Sequence, residues 1–155
     1  MDTKYFPSIE AINKASKVLE EILEPTPFKK NDNLSDTYQA NVFLKREDLQ
    51  MVRSYKIRGA YNKIRSIEPE NLKNGIVCAS AGNHAQGVAF SCSKLQIKGS
   101  ICMPTTTPKQ KIEQVKMFGK EFIEIVLTGD TFDAANAAAI AYAEENNMTF
   151  IPPFD

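Results

Sequence analysis

Gly75-Ile76-Val77-Cys78-Ala79, then Ser80-Ala81-Gly82-Asn83-His84-Ala85-Gln86-Gly87 and on to Leu95, then Gly99-Ser100-Ile101-Cys102-Met103: residues 75–103 decide the fold. Each end is a short apolar run of the length and composition of a buried strand. The small-residue middle reads as a helix from Asn83 to about Leu95. Two buried strands joined by a helix are a parallel crossover unit. The alternation continues downstream. Thr107 is placed to cap a helix with Pro108 at its first position and Gln110 three residues on, a capping-box pattern. Phe122–Val126 reads as a strand, Asp130 as the cap of an alanine-rich helix to about Glu145, and Met148–Ile151 as the start of a last strand. Upstream, Val42-Phe43-Leu44 reads as a strand, and residues 56–66 as a helix with Ile57, Ala60, Tyr61 and Ile64 on its apolar side. The class this predicts is α/β: a three-layer parallel sheet with helices on both faces, ligands sitting outside the carboxyl ends of its strands.

Residues 1–40 have a different character. Ser8 is placed to cap a helix running to about Leu23, with Ile9, Ile12, Leu19, Ile22 and Leu23 on one stripe. Glu24-Pro25-Thr26-Pro27 stops it, and residues 29–40 are polar and turn-rich. The expected organisation is therefore a preceding N-terminal helical segment, 1–40, and an α/β domain, 41–155.

Composition narrows the function. Nineteen basic residues balance nineteen acidic ones, which gives no electrostatic ground for nucleic acid or an anionic membrane as partner. No apolar run has the length of a membrane span, and Met1–Glu10 carries no apolar leader core. Cys78, Cys92 and Cys102 have neither CxxC spacing nor a nearby histidine partner, so neither a disulfide framework nor a metal site is expected. A cytoplasmic protein is the simplest expectation.

Two segments at strand ends carry chemistry. In Ser54-Tyr55-Lys56-Ile57-Arg58-Gly59-Ala60 a lysine stands where a helix begins. The helix dipole disfavours the ammonium form there, as covalent chemistry at an amine requires. Position alone leaves open a solvated surface lysine, and leaves Tyr55 either stacking on a flat ligand or filling core. In Ser80–Gly87 small residues at a strand-to-helix turn turn backbone N–H groups outward, a ready site for a carboxylate or phosphate. Gly82 shaping the turn and Asn83 capping the helix is the plainer alternative. His84 is the only histidine, so any conventional catalytic triad would depend on it.

Taken together with Leu44-Lys45-Arg46-Glu47-Asp48-Leu49-Gln50, these segments resemble fold type II pyridoxal-phosphate enzymes, and within them the biosynthetic threonine dehydratases (threonine ammonia-lyases, or threonine deaminases). The resemblance implies pyridoxal 5'-phosphate as cofactor, with Lys56 as its covalent anchor and as the base that removes the substrate's Cα proton. It implies Asn83 on the ring hydroxyl oxygen, Tyr55 against a ring face, and Ser80, Ala81, Gly82, Asn83 and His84 holding the substrate carboxylate. The implied reaction converts L-threonine to 2-oxobutanoate and ammonia, the first step of isoleucine biosynthesis, in a homo-oligomer.

Serine racemases resemble it in nearly the same two motifs, and a serine-specific dehydratase would carry the same lysine, which puts L-serine beside L-threonine. No two of the seven glycines are adjacent, so the family's glycine-rich phosphate loop is not in this chain. The resemblance implies a fragment that is inactive alone, whose residues 1–40 pack on a large domain in complete relatives. A non-catalytic, self-associating α/β fragment is the competing expectation.

Overall fold

The computed structural model describes residues 6–154, so Met1–Tyr5 of the N-terminal segment, and Asp155, lie outside the described residues. The chain divides into two compact units, Met1–Lys45 and Arg46–Asp155.

In the first unit, helix α1 (Ile9–Glu20) starts where Ser8 accepts a hydrogen bond from the Ala11 N–H. Strand β1 (Phe28–Lys30) leads into a short helix, α2 (Asp32–Tyr38), capped by the Asn31 side chain on the Leu34 N–H. Strand β2 (Phe43–Lys45) pairs with β1 antiparallel, and the Phe28 and Phe43 rings stack at 5.3 Å. The expectation for Val42–Leu44 is corrected here: the strand exists, but it belongs to a two-stranded ribbon and not to the parallel sheet. Residues 29–40, expected as turns, hold the last two residues of β1 and all of α2.

The second unit is the crossover domain. Helix α3 (Lys56–Arg65) precedes strand β3 (Ile76–Ala79), helix α4 (Asn83–Leu95), strand β4 (Gly99–Met103), helix α5 (Lys109–Gly119), strand β5 (Ile123–Leu127), helix α6 (Phe132–Glu145) and strand β6 (Thr149–Phe150). The sheet is parallel, in the order β5-β4-β3-β6. Strand residues alternate between two cores. Ile76 and Cys78 of β3 with Ile101 and Met103 of β4 pack against Ala60 and Ile64 of α3, Val88 and Cys92 of α4, and Val115 of α5. Val77, Ala79 and Cys102 face the other way, onto Ala139 and Ala143 of α6. Ala135, Ala139 and Ala143 recur every fourth residue and are buried, so α6 presents a ridge of methyl groups and lies close to the sheet. Helices thus cover both faces. The steps from β3 to β4 to β5 run one way with α4 and α5 on one face. The step back to β6 runs the other way with α6 on the opposite face, so all three crossovers share one hand, as parallel units do.

Gly75, just before β3, has φ +93°, and a Cβ there would sit 2.5 Å from the Lys98 carbonyl oxygen, so only glycine fits. Two cap expectations are corrected. Thr107 makes no cap: Lys109 is the first helical residue of α5, no side chain bonds its N-terminal N–H groups, and the buried Thr107 hydroxyl has no partner. The cap of α6 is Thr131, bonded to the Ala134 N–H, and not Asp130.

Candidate functional site

The sheet order reverses between β3 and β6. β3 leads to β4 on one side, while β6 returns on the other, so a crevice opens at their carboxyl ends, where doubly wound sheets take ligands. A cavity of about 150 Å³ lies there, lined by Tyr55, Lys56, His84 and Ile151–Pro153 among others.

Lys56 enters from α3 as its first residue, with Tyr55 at the cap position. Ile57, Ala60, Tyr61 and Ile64 are buried beneath it, so the helix is fixed by its apolar side while its first turn faces the cavity. The Lys56 Nζ donates to the Pro153 carbonyl at 2.6 Å and lies 5.0 Å from the centre of the exposed Phe154 ring. Arg58, two residues along in the same first turn, makes a two-pronged pair with Glu47: Nε to Oε2 at 2.8 Å and a terminal guanidinium nitrogen to Oε1 at 2.9 Å. Glu47 thereby ties residues 46–50 to the turn that carries Lys56, and its bonds hold the Arg58 guanidinium above its ordinary value. Gly87 sets the spacing of α4 against this turn, since a Cβ there would lie 3.2 Å from the Ala60 Cβ and 3.3 Å from the Ile57 backbone.

The wall facing Lys56 is His84 of α4, and the β3–α4 turn just before it lies outside the cavity lining. The Ser80 N–H is taken by the Cys102 carbonyl and the Gly82 N–H by the Ser80 Oγ at 3.2 Å, so neither is left for a ligand. Ser80 Oγ accepts that bond and keeps its own hydrogen to donate. The N–H groups of Asn83, His84 and Ala85 precede the first bond within α4, from the Gln86 N–H to the Gly82 carbonyl. They form the positive end of a helix. Ala81 is half-buried, Asn83 is exposed, and a Cβ on Gly82 would meet nothing within 4 Å. His84 turns inward: it is buried, with Nε2 3.2 Å from the Ile151 carbonyl. Burial holds its imidazole below its ordinary value, outweighing the Ile151 bond, and the Lys56 charge works in the same direction as burial.

Sequence reasoning did not find Glu47, Ile151 and Pro153 as neighbours of the lysine-bearing turn. The Glu47–Arg58 pair was within reach of it, both residues being charged and in motif segments. The other two contribute only backbone carbonyls. The cysteines are buried and free, with the Cys92 thiol pushed up to about 12 by burial, so none serves as a nucleophile.

A family model described as pyridoxal-phosphate dependent enzyme matches residues 19–155. The chain belongs to that family. Over 147 residues it is 59% identical to a biosynthetic L-threonine dehydratase (IlvA) of Halalkalibacterium halodurans, covering 95% of this chain and 35% of that protein. The chain thus spans about a third of the length of such relatives. The processed form of threonine deaminase isoform 2 from Solanum lycopersicum superposes with a TM-score of 0.84 at 38% identity, covering 96% of this chain and 44% of that one. Maize serine racemase superposes with a TM-score of 0.88 at 27% identity, covering 97% and 45%. The α/β fold with helices on both faces is the one these fold type II enzymes share.

The residues present fit one end of pyridoxal phosphate. A primary amine faces the cavity, the Ser54 hydroxyl two residues before it is buried without a partner, and open space lies where a Gly82 side chain would be. An orphaned buried hydroxyl costs about 1–3 kcal/mol unless something bonds it.

Proposed function

We propose that this chain supplies the lysine-bearing part of an enzyme that converts L-threonine to 2-oxobutanoate and ammonia with pyridoxal 5'-phosphate, the first step of isoleucine biosynthesis. One observation carries the reading: Lys56 and His84, the second residue of α4, line a single cavity at the point where the sheet order reverses. Bound cofactor supplies an electron sink for the charge that develops at the substrate's Cα.

The chain's own residues do the rest. Lys56 would be the covalent anchor, and its Nζ would take the proton from the substrate's Cα. The Ser80 hydroxyl and the N–H groups of Asn83 and His84 bind the substrate carboxylate at the positive end of α4. Ala81 and Gly82 lend backbone and room, without side chains in the way. With the carboxylate held there, Cα–H is turned toward Lys56 on the opposite wall. The Asn83 amide would bond the ring hydroxyl oxygen, and Tyr55 would pack on a ring face. The β-hydroxyl leaves as water and one water re-enters, so threonine balances to 2-oxobutanoate plus ammonia.

Nothing among the described residues supplies a phosphate cradle, so we assign the 155-residue chain no dehydratase activity of its own. We place residues 1–40 against the large domain of a complete homo-oligomeric enzyme, and the whole in the cytoplasm, where three free cysteines stay reduced. A serine-directed enzyme is the second reading, favoured by the high backbone likeness to maize serine racemase. Relative rates on L-threonine and L-serine in the complete protein separate the two.

The test of the site is direct. The chain is mixed with pyridoxal phosphate, reduced with borohydride, and digested for peptide masses. Label concentrated on Lys56, and lost in Lys56→Ala, is the expected result. Label scattered over the surface lysines would sink the assignment of Lys56.

A further inference from the structure

Two backbone carbonyls of one short segment are taken by side chains from opposite walls of the cavity. His84 Nε2 is 3.2 Å from the Ile151 oxygen, and Lys56 Nζ is 2.6 Å from the Pro153 oxygen. A carbonyl only accepts, so His84 carries its hydrogen on Nε2. The sequence of the segment leaves its carbonyls available. Strand β6 joins β3 through the Thr149 N–H to Gly75 and the Ile151 N–H to Val77. Pro152 and Pro153 then have no N–H with which to continue the ladder, and the chain leaves the sheet.

The electrostatics of the place call for such acceptors. Lys56 stands at the first position of α3, where aligned peptide dipoles disfavour a cation. The Pro153 oxygen is an acceptor for it there, and the Phe154 ring at 5.0 Å adds a weaker attraction. A charged neighbour would undo this. His84 is buried, and burial disfavours its imidazolium form, which favours a hydrogen bond donated without a second positive charge beside the lysine.

We infer that His84 is a positioning residue for Lys56, acting through main chain: by holding the Ile151 carbonyl it fixes residues 151–153, and the Pro153 carbonyl then fixes where the Lys56 amine sits. The imidazole itself touches neither cofactor nor substrate in this role. The inference rests on the reading of Lys56 as the covalent anchor.

Lys63 lines the same cavity and serves as an internal reference. The probe is pyridoxal phosphate itself, trapped with borohydride on the whole chain, with label at Lys56 and Lys63 read by peptide mass. His84→Leu removes the donor, while His84→Gln keeps an N–H at similar reach. The ratio of Lys56 to Lys63 label should fall about fivefold in His84→Leu and return to within about twofold in His84→Gln, as expected for the net contribution of one hydrogen bond. Amide exchange at Ile151 should quicken in the first variant and not in the second.

A fall at both lysines together, with no rescue by Gln, would make His84 merely structural and overturn the inference. So would an unchanged ratio in His84→Leu. No preference for Lys56 in the unsubstituted chain would overturn the anchor reading, and the inference with it, so the two failures are told apart. Should His84→Leu fail to fold by circular dichroism, Pro153→Gly takes its place. It loosens the segment with His84 intact and should lower the same ratio; an unchanged ratio there also overturns the inference.

Discussion

Residues 6–45 and residues 46–154 are held in shape by different forces. In the first stretch the caps are well made, by Ser8 on α1 and Asn31 on α2. Yet α1 buries no residue, α2 buries only Ser35, and β1 is exposed throughout. Leu23 is its one buried apolar side chain among the described residues. In the second stretch β3 and β4 are buried at every position, between helices on both faces. A good cap contributes about 0.5–2 kcal/mol, and each fully buried isoleucine about 1.5–3 kcal/mol. Many such side chains stand behind the second region and almost none behind the first. Local signals draw elements there; only the core locks them.

The strongest way to break that contrast is Ile76→Ala. Ile76 is fully buried in β3, in the core that α3, α4 and α5 share. The substitution should cost about 2–5 kcal/mol, read as a lowered urea midpoint with unchanged slope. A cost under about 1 kcal/mol would mean the core is loose and the contrast false.

A pH series is the next test. His84 has an unperturbed value of 6.5 and a lower one in the fold, where burial disfavours the imidazolium first and the Lys56 charge adds to it. Between the folded and unfolded values the unfolded chain binds more protons. Stability therefore falls as pH drops through that window, is complete above it and levels off below it. His84 is the only histidine, so the slope that sets in as pH falls below its ordinary value should flatten in His84→Gln. A slope that survives the substitution would put the proton elsewhere.

Thr107 shows the core-built region overriding a local signal. Its hydroxyl is buried with no partner, although the sequence around it spells a capping box. Thr107→Val should stabilise by about 1 kcal/mol, because an apolar group of the same shape has nothing to leave unpaired. A loss of similar size would show that the hydroxyl caps α5 in solution.

What could be read in the sequence follows the same division. Strands β3 and β4 and helices α3 and α4 were legible because burial imposes an apolar pattern that no loop needs. Helix α2 was not, because Asp32–Tyr38 is short and polar and buries only a serine, leaving no periodicity to see. Val42–Leu44 was legible as a strand, but three residues cannot say whether their partner is parallel or antiparallel. At the site, Lys56 stood out as a lysine where a helix begins, and the turn from Ser80 to His84 as small and polar residues directly after a buried strand. Their companions at Ile151 and Pro153 did not, because the contact from Lys56 to Pro153 spans 97 residues and ends on a backbone carbonyl. Carbonyls are the same in every residue, so no side chain marks which one will be used.

The smallest expected effect is the mirror of the largest. Ile12→Ala makes almost the chemical change of Ile76→Ala, but on α1, where Ile12 is 49% exposed and its neighbour on the stripe, Ile9, is 62% exposed. Lost packing is slight there, and alanine's better helix propensity offsets part of it, so the change should stay within about 0.5 kcal/mol. A cost of about 2 kcal/mol or more would mean that the stripe is covered in solution. Repeating the melt across protein concentrations then identifies the cover. A cost that grows with concentration belongs to a second copy of the chain, since association stabilises by mass action, and sedimentation would show the dimer. A cost that does not change with concentration belongs to packing within one molecule, and would bring the first region under the same rule as the second.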